Sequence, residues 1–444
     1  MSNEPSSSVL PMRSALLCLL AACEGAPLSS GPTPADAGPQ EVSGPALRAP
    51  IWPNFFPTAL ARRGAGFLVT GRFGKDMGLL ALDVSGAVDD GCGGGGLVLV
   101  DFRGDPSPGA PLLARDYDAP FAVVAWPPSW LVAGVARGYD EGRQGSFGLA
   151  LASDRGGLEP TFGIEGIQLS GWGAEAFIGA AVVDSEGRAI TAGTVQQPSM
   201  RRGTDFALTR YDRLGNLDPD FSGEGGGPGT VVDVTPGDQA ALLALAGDRI
   251  IVGGGEGFAL AGFREDGGLD TEFGFFGRRS ERDGFATAGA LAADRVYLAG
   301  RAGDGRLQVS AWTLAGAPAP HFGVNGRVRR SLPLELADRE VIGPANGMCV
   351  EEGGSVLVLV GVGPAASTPA LVRLAPDGSI DRGFGEEGWV LLNAEEPGSD
   401  LQLRSPPGHR LLCEGDRAWS VHFDVSADLG APGLVLLETF LPPR

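Results

Sequence analysis

The chain has 444 residues, of which 43% are hydrophobic, so most of it can bury a core and a wholly disordered chain is excluded. Its 72 glycines follow no G-x-y period, which excludes a collagen-like chain and leaves them as turn residues. A formal net charge of -20 repels phosphate backbones and anionic headgroups; nucleic acid is not expected as a partner, and paired arginines such as Arg62-Arg63, Arg201-Arg202, Arg278-Arg279 and Arg329-Arg330 are scattered among acids.

From the amino terminus, Arg13 precedes a short apolar run, Ser14 to Ala22, which has the charged, apolar, small-residue order of a secretory signal. The run is too short for a transmembrane helix, which needs roughly 20 apolar residues. Leu20-Ala21-Ala22-Cys23 resembles a bacterial lipobox, and that resemblance makes Cys23 the lipid-bearing residue after cleavage, so residues 1–23 are read as a signal. Glu24 follows it, where an aspartate is the usual inner-membrane retention signal, so the expected location is the outer membrane or cell surface. Residues 24–50 are rich in Pro, Ser and Gly and read as a flexible tether.

Residues 51–444 carry an internal repeat. An apolar strand ending in glycine recurs as Phe67–Gly71, Trp130–Gly134, Ala189–Gly193, Ile250–Gly253, Val296–Gly300, Leu357–Gly361 and, worn, Leu411–Gly415, at a spacing of roughly 60 residues. Another apolar strand precedes it, for example Ala180–Val183 and Ala241–Ala244. Next comes a strand alternating with period two, as in Phe147–Leu151, Phe206–Tyr211 and Ala370–Leu374, expected to bury one face and wet the other. It closes in a turn such as Gly215-Asn216-Leu217-Asp218 or Gly378-Ser379-Ile380-Asp381, where glycine supplies positive φ and the acid bonds its own backbone.

Three residues after that acid stands an aromatic slot in a Phe-Gly-x-x-Gly pattern: Phe162, Phe273, Phe322 and Phe384, with Phe221 and Cys92 holding the same place. A short strand, such as Leu97–Val100 or Val390–Leu392, ends the repeat. Four strands per repeat and seven repeats predict an all-β fold, a seven-bladed β-propeller of four-stranded antiparallel blades, because one such sheet cannot cover both its apolar faces alone. Six or eight blades and a β-solenoid remain as alternatives.

On these residues the chain resembles the delta-60 repeat family, best between Ala189 and Val234 and over about residues 54 to 440. The resemblance implies a propeller-like exported bacterial protein and supplies no catalytic residues. Pro318 replaces the turn leucine in the fifth repeat and the aromatic slot is lost in the seventh, which leaves the blade count open.

No catalytic, cofactor-binding or metal-binding residues stand out. The glycine runs Gly93–Gly96, Gly225–Gly227 and Gly253–Gly255 lead into strands, whereas a phosphate loop leads into a helix. His321, His409 and His422 lack paired ligand spacing, and no D-x-D-x-D-G calcium loop accompanies acids such as Asp218, Asp220, Glu386 and Glu387. Of the cysteines expected after processing, Cys349 and Cys413 lie in adjacent repeats and are the candidate disulfide, while Cys92 takes a core place. The expected function is non-catalytic: a monomeric binding or interaction module that takes an unknown protein or glycan through its loops and meets the membrane only through its anchor. The alternative is a propeller enzyme, a glycan hydrolase or cofactor-dependent oxidoreductase, with inward-facing ionisable groups at the central channel.

Overall fold

The computed structural model describes residues 46–48, 55–93, 95–102, 118–137, 145–172, 174–196, 203–221, 229–281, 283–333, 342–363, 368–392, 403–404, 410–424 and 433–441. Cys23 and His409 lie outside them. Among the described residues every regular element is a β-strand, and no helix is long and apolar enough to cross a membrane.

After β1 (Ala46–Arg48), the chain repeats a four-stranded antiparallel meander. The first contains β2 (Phe55–Arg63), β3 (Gly66–Phe73), β4 (Asp76–Leu82) and β5 (Leu97–Val100). The second contains β6 (Ala119–Trp126), β7 (Ser129–Ala136), β8 (Ser146–Ser153) and β9 (Ile167–Ser170). The third contains β10 (Ala176–Val183), β11 (Ala189–Gln196), β12 (Thr204–Tyr211) and β13 (Thr230–Val232). Next come β14 (Leu242–Ala246), β15 (Arg249–Glu256), β16 (Ala259–Arg264) and β17 (Arg278–Arg279). A short ladder, Gly255 and Glu256 against Ala286 and Phe285, joins these to β18 (Phe285–Leu291), β19 (Arg295–Arg301), β20 (Leu307–Thr313) and β21 (Arg327–Arg330), so the two meanders count as one eight-stranded sheet. Then follow β22 (Ile342–Val350), β23 (Val356–Val362), β24 (Thr368–Leu374) and β25 (Trp389–Leu391). The last sheet combines β26 (Leu403–Arg404), β27 (Leu411–Glu414), β28 (Arg417–Asp424) and β29 (Gly433–Phe440) with β1, which pairs antiparallel with β29 through Ala46 opposite Leu437. Ala46–Arg48 falls inside the span read as tether, and its backbone is part of that sheet.

Each sheet packs on the next, and the core lies between them. Phe147, Leu149 and Leu151 of β8 cluster with Ala207 and Tyr211 of the third sheet, while Ala150 and Ala152 on the other face cluster with Leu79 and Val98 of the first. The period-two alternation is therefore large against small rather than dry against wet. Neighbouring sheets cover both faces, which is also why β7 and β23 are buried along their whole length. A further cluster sets Phe55, Phe67 and Leu80 of the first sheet against Trp419, Val421 and Leu436 of the last, so the stack closes on itself in a β-propeller arrangement.

The recurrent glycine has a steric cause. The first strand of a sheet carries a bulge, between Pro120 and Ala122 in β6, between Ile178 and Ala180 in β10 and between Ala286 and Ala288 in β18. The bulge turns a carbonyl into the space of a side chain on the second strand: a Cβ at Gly134 would lie 2.0 Å from the Ala119 oxygen, at Gly193 2.2 Å from that of Phe177, and at Gly300 2.0 Å from that of Phe285. In the fourth sheet Gly254, next to the expected Gly253, takes this role against the Gln239 oxygen at 2.2 Å.

The last sheet departs from the expectation. Leu411–Glu414 is its first strand, not its second, and Gly415 sits in the following turn at φ 59. Its second strand is β28, where His422 stands in the register place of the glycine, five residues beyond the hairpin pair Glu414 and Arg417. The two strands read alike as short apolar runs, and only their pairing distinguishes them.

Gly134→Ala should lower unfolding free energy by roughly 1–3 kcal/mol, because backbone must move to admit the methyl group. Gly353, whose Cβ would meet nothing within 4 Å, should accept alanine within about 0.5 kcal/mol. Urea unfolding of the two variants beside the wild type checks this.

Candidate functional site

The repeat motif builds a structural clamp. In the third sheet Arg210 pairs with Asp218 at 2.7 Å, donates to the Glu265 carbonyl at 2.6 Å, and lies 4.6 Å from the centre of the Phe221 ring. Arg373 repeats this with Asp381 and Phe384, and Glu351 accepts from two of its nitrogens. Arg249 with Asp270 and Phe273 is a third case, with the arginine supplied by the second strand. In each, the acid also accepts a backbone N–H two residues on, at Asp220, Gly383 and Glu272. The pattern that recurs along the sequence thus holds turns and rings in place.

A groove of about 680 Å³ between the third and fourth sheets is lined by Arg188, Arg210, Arg249 and Arg264 with Glu265 and Asp266. Its cations are engaged: Arg188 with Asp184, Glu186 and Glu265, Arg210 and Arg249 as above, and Arg264 with Asp266. The groove is an ion-pair network that joins two sheets.

First strands of successive sheets line a central space. One cavity, about 160 Å³, is bounded by Ala59, Leu60, Ala122, Val123, Ala180 and Leu243 among others, and a larger one, about 540 Å³, by residues of β10, β14, β18 and β22 including Val182, Leu245, Leu291 and Met348. Among the described residues every lining side chain is aliphatic or sulfur-bearing, or the residue is glycine. Cys349 on β22 and Cys413 on β27 are joined as a disulfide, with Cα atoms 6.0 Å apart, so this bond ties two neighbouring first strands. Cys92 is a buried free thiol in the aromatic slot of the first sheet.

Titratable groups with displaced pKa lie elsewhere. His422 is fully buried, and burial followed by the charge of Arg410 pushes it down to about 3; its Nε2 lies 2.8 Å from the Ser420 hydroxyl. Burial lifts the Asp238 carboxyl to about 7 against hydrogen bonds from Val234 N, Thr235 N and Thr235 Oγ1, and lifts Asp205 to about 6 with the help of Asp233. His321 is exposed in the turn before Phe322, so the two described histidines do not meet. Sequence spacing could not reveal the Asp205, Asp233 and Asp238 grouping, since a strand start, the residue after a strand and a connecting segment bring the three together.

Because the folded pKa of His422 lies below its ordinary 6.5, protonation favours the unfolded chain. This contribution to stability is complete above pH 6.5 and declines as pH falls toward 3. His422→Gln, which retains a polar partner for Ser420, should flatten the fall in melting temperature between pH 6.5 and 4 relative to wild type, as measured by calorimetry in a pH series. Arg373→Met should cost about 3 kcal/mol in urea unfolding, because it strands the nearly buried Glu351 carboxylate.

No protein-family model matches the chain, and no curated protein matches it. Among solved structures it is similar to the Trypanosoma rangeli sialidase in complex with the inhibitor DANA, at 10% identity and TM-score 0.40, covering 87% of this chain and 55% of that one; this chain therefore spans little more than half the sialidase. It is similar also to extracellular domains 1–2 of Drosophila Semaphorin 1a, at 9% identity and TM-score 0.42, covering 91% and 89%. A third similar structure is the β-propeller domain of the Trilobed protease from Pyrococcus furiosus, at 8% identity and TM-score 0.39, covering 88% and 97%.

Proposed function

We propose that the chain is an exported lipoprotein of the delta-60 repeat type, anchored through Cys23, whose seven-bladed propeller acts as a non-catalytic binding module for a protein or glycan. The count of seven takes the eight-stranded sheet as two blades and the sheet closed by β1 as the last. The observation that carries the functional reading is the described wall of the central space, lined by Ala, Val, Leu, Gly, Met and Cys residues. Hydrolysis of a glycosidic bond uses paired carboxyl groups and hydride transfer uses a bound cofactor, and an aliphatic wall offers purchase for neither. Recognition then belongs to loops carried on a rigid scaffold. A disulfide between β22 and β27 supports export, since such bonds persist in oxidising compartments.

Two measurements test this reading. Cys23→Ala should move the protein from the membrane fraction to the soluble fraction, and a variant that stays in the membrane ends the anchor assignment. The purified protein, applied to a panel of polysaccharides and envelope proteins, should retain one class saturably and release it unchanged. New reducing ends, or reduction of an electron-accepting dye with a sugar substrate, would replace the module with the enzyme.

A further inference from the structure

Asp205 near the start of β12, Asp233 just after β13 and Asp238 ahead of β14 each place one carboxylate oxygen within 4.8 Å of the other two. Asp238 is wholly buried and Asp205 is 4% exposed, while Asp233 opens to solvent. Asp238 is held by three hydrogen bonds, from Val234 N at 2.7 Å, Thr235 N at 2.9 Å and Thr235 Oγ1 at 2.6 Å, which use one lone pair of Oδ2 and leave another. The Asp205 carboxylate is different: among the described residues it accepts no hydrogen bond and meets no cation. A carboxylate on so nearly covered a residue, with no partner, is unfavourable unless something neutralises it.

Related corners show what the fold otherwise supplies. Ahead of β10, Glu175 pairs with Arg137 and accepts from Gly145 N at 3.0 Å. Ahead of β18, Asp283 pairs with Arg329 at 2.7 Å, and Glu281 with Arg327 at 3.0 Å and with the Gln308 amide at 2.7 Å. At the corner of Asp205, Arg278 donates at 2.9 Å to the backbone carbonyl of Asp233. Among the described residues no arginine takes here the place it fills at those two corners.

We propose that Asp205, Asp233 and Asp238 bind one hard divalent cation of the calcium class, which takes the role that arginine has at the neighbouring corners. Three carboxylates with no nitrogen or sulfur donor suit an oxygen-preferring ion. With calcium–oxygen bonds of about 2.3–2.6 Å, oxygens that share one ion lie no more than about 5 Å apart, a limit that these three meet. Solvent at the Asp233 side completes the shell with water. The ion fixes the connection from β13 to β14, and with it the approach of the fourth sheet to the third. Asp76, Asp101 and Asp118 form a second group at the corresponding corner of the first sheet, where Asp118 already accepts from Arg137 N at 2.9 Å and Phe102 N at 3.4 Å, and nothing is built on it.

Calorimetric titration of calcium chloride into the intact protein, after treatment with EDTA and removal of the chelator, tests the site. The expected result is a single-site isotherm, with a melting temperature about 3 °C higher at a hundredfold excess over Kd. Asp205→Asn should weaken binding at least tenfold and melt in EDTA no lower than the wild type, since it removes a buried charge. Asp233→Asn, at an exposed position, should weaken binding without disturbing the fold. The proposal is overturned if calcium, magnesium and manganese all leave heat and melting temperature unchanged, if both variants bind as the wild type does, or if Asp76→Asn abolishes the heat while Asp205→Asn retains it.

Discussion

Where one sheet meets the next, the turn glycine of the later repeat presses on the aromatic slot of the earlier one. A Cβ at Gly215 would stand 3.1 Å from the Phe162 ring, at Gly267 3.1 Å from Phe221, at Gly316 3.0 Å from Phe273 and at Gly378 3.2 Å from Phe322. The glycine after the ring donates its N–H back across the same boundary: Gly163 to the Leu214 carbonyl, Gly274 to Ala315 and Gly323 to Asp377, each near 2.7 Å. In the first sheet Gly93 donates to Arg155 at 2.6 Å beside Cys92. The contact requires a ring, or a sulfur of modest size, in one repeat and a bare backbone in the next. Neither half is satisfied within its own sheet, so each sheet is held against the next through it.

The same boundary explains how a chain with so many charges keeps a dry interior. Arg210, Arg249 and Arg373 lie over slot rings while they hold the turn acids, so a guanidinium serves packing through its flat face and electrostatics through its edge. Because these pairs are local to each corner, the excess acid can stay on turns and rims. The first strands are then free to be aliphatic, and they line the central space with small side chains that allow close approach.

Legibility in the sequence followed physical locality. The glycine anchors, the turn acids and the slot aromatics each answer to a neighbour within one hairpin or one boundary, so they recur at fixed offsets and could be read. Where the partner is distant the pattern fades. Leu411–Glu414 reads like a second strand and is a first one, because its assignment depends on pairing with β28. Ala46–Arg48 reads as tether because a three-residue edge strand has no periodicity, and its partner lies almost four hundred residues away. Asp205, Asp233 and Asp238 share no motif for the same reason: one is on a strand, one just follows a strand and one precedes the next sheet.

The last sheet shows why its motif could wear away. Other sheets are built from one continuous stretch and depend on the slot and turn for their place in the stack. This one takes β1 from the amino-terminal side and β27 to β29 from the carboxy-terminal side, so a backbone ladder fixes its outer edge, and the Cys349–Cys413 bond fixes its inner strand to the sheet before it. Trp419 tilts against Phe67 at 5.6 Å, with the Arg62 guanidinium within 5 Å of both rings, and so supplies across this boundary the aromatic packing that the slot supplies elsewhere. With register set from both edges and a ring pair between, the positional demands that keep glycine in the second strand relax. A buried neutral histidine, His422, can then stand where the other sheets require a bare backbone.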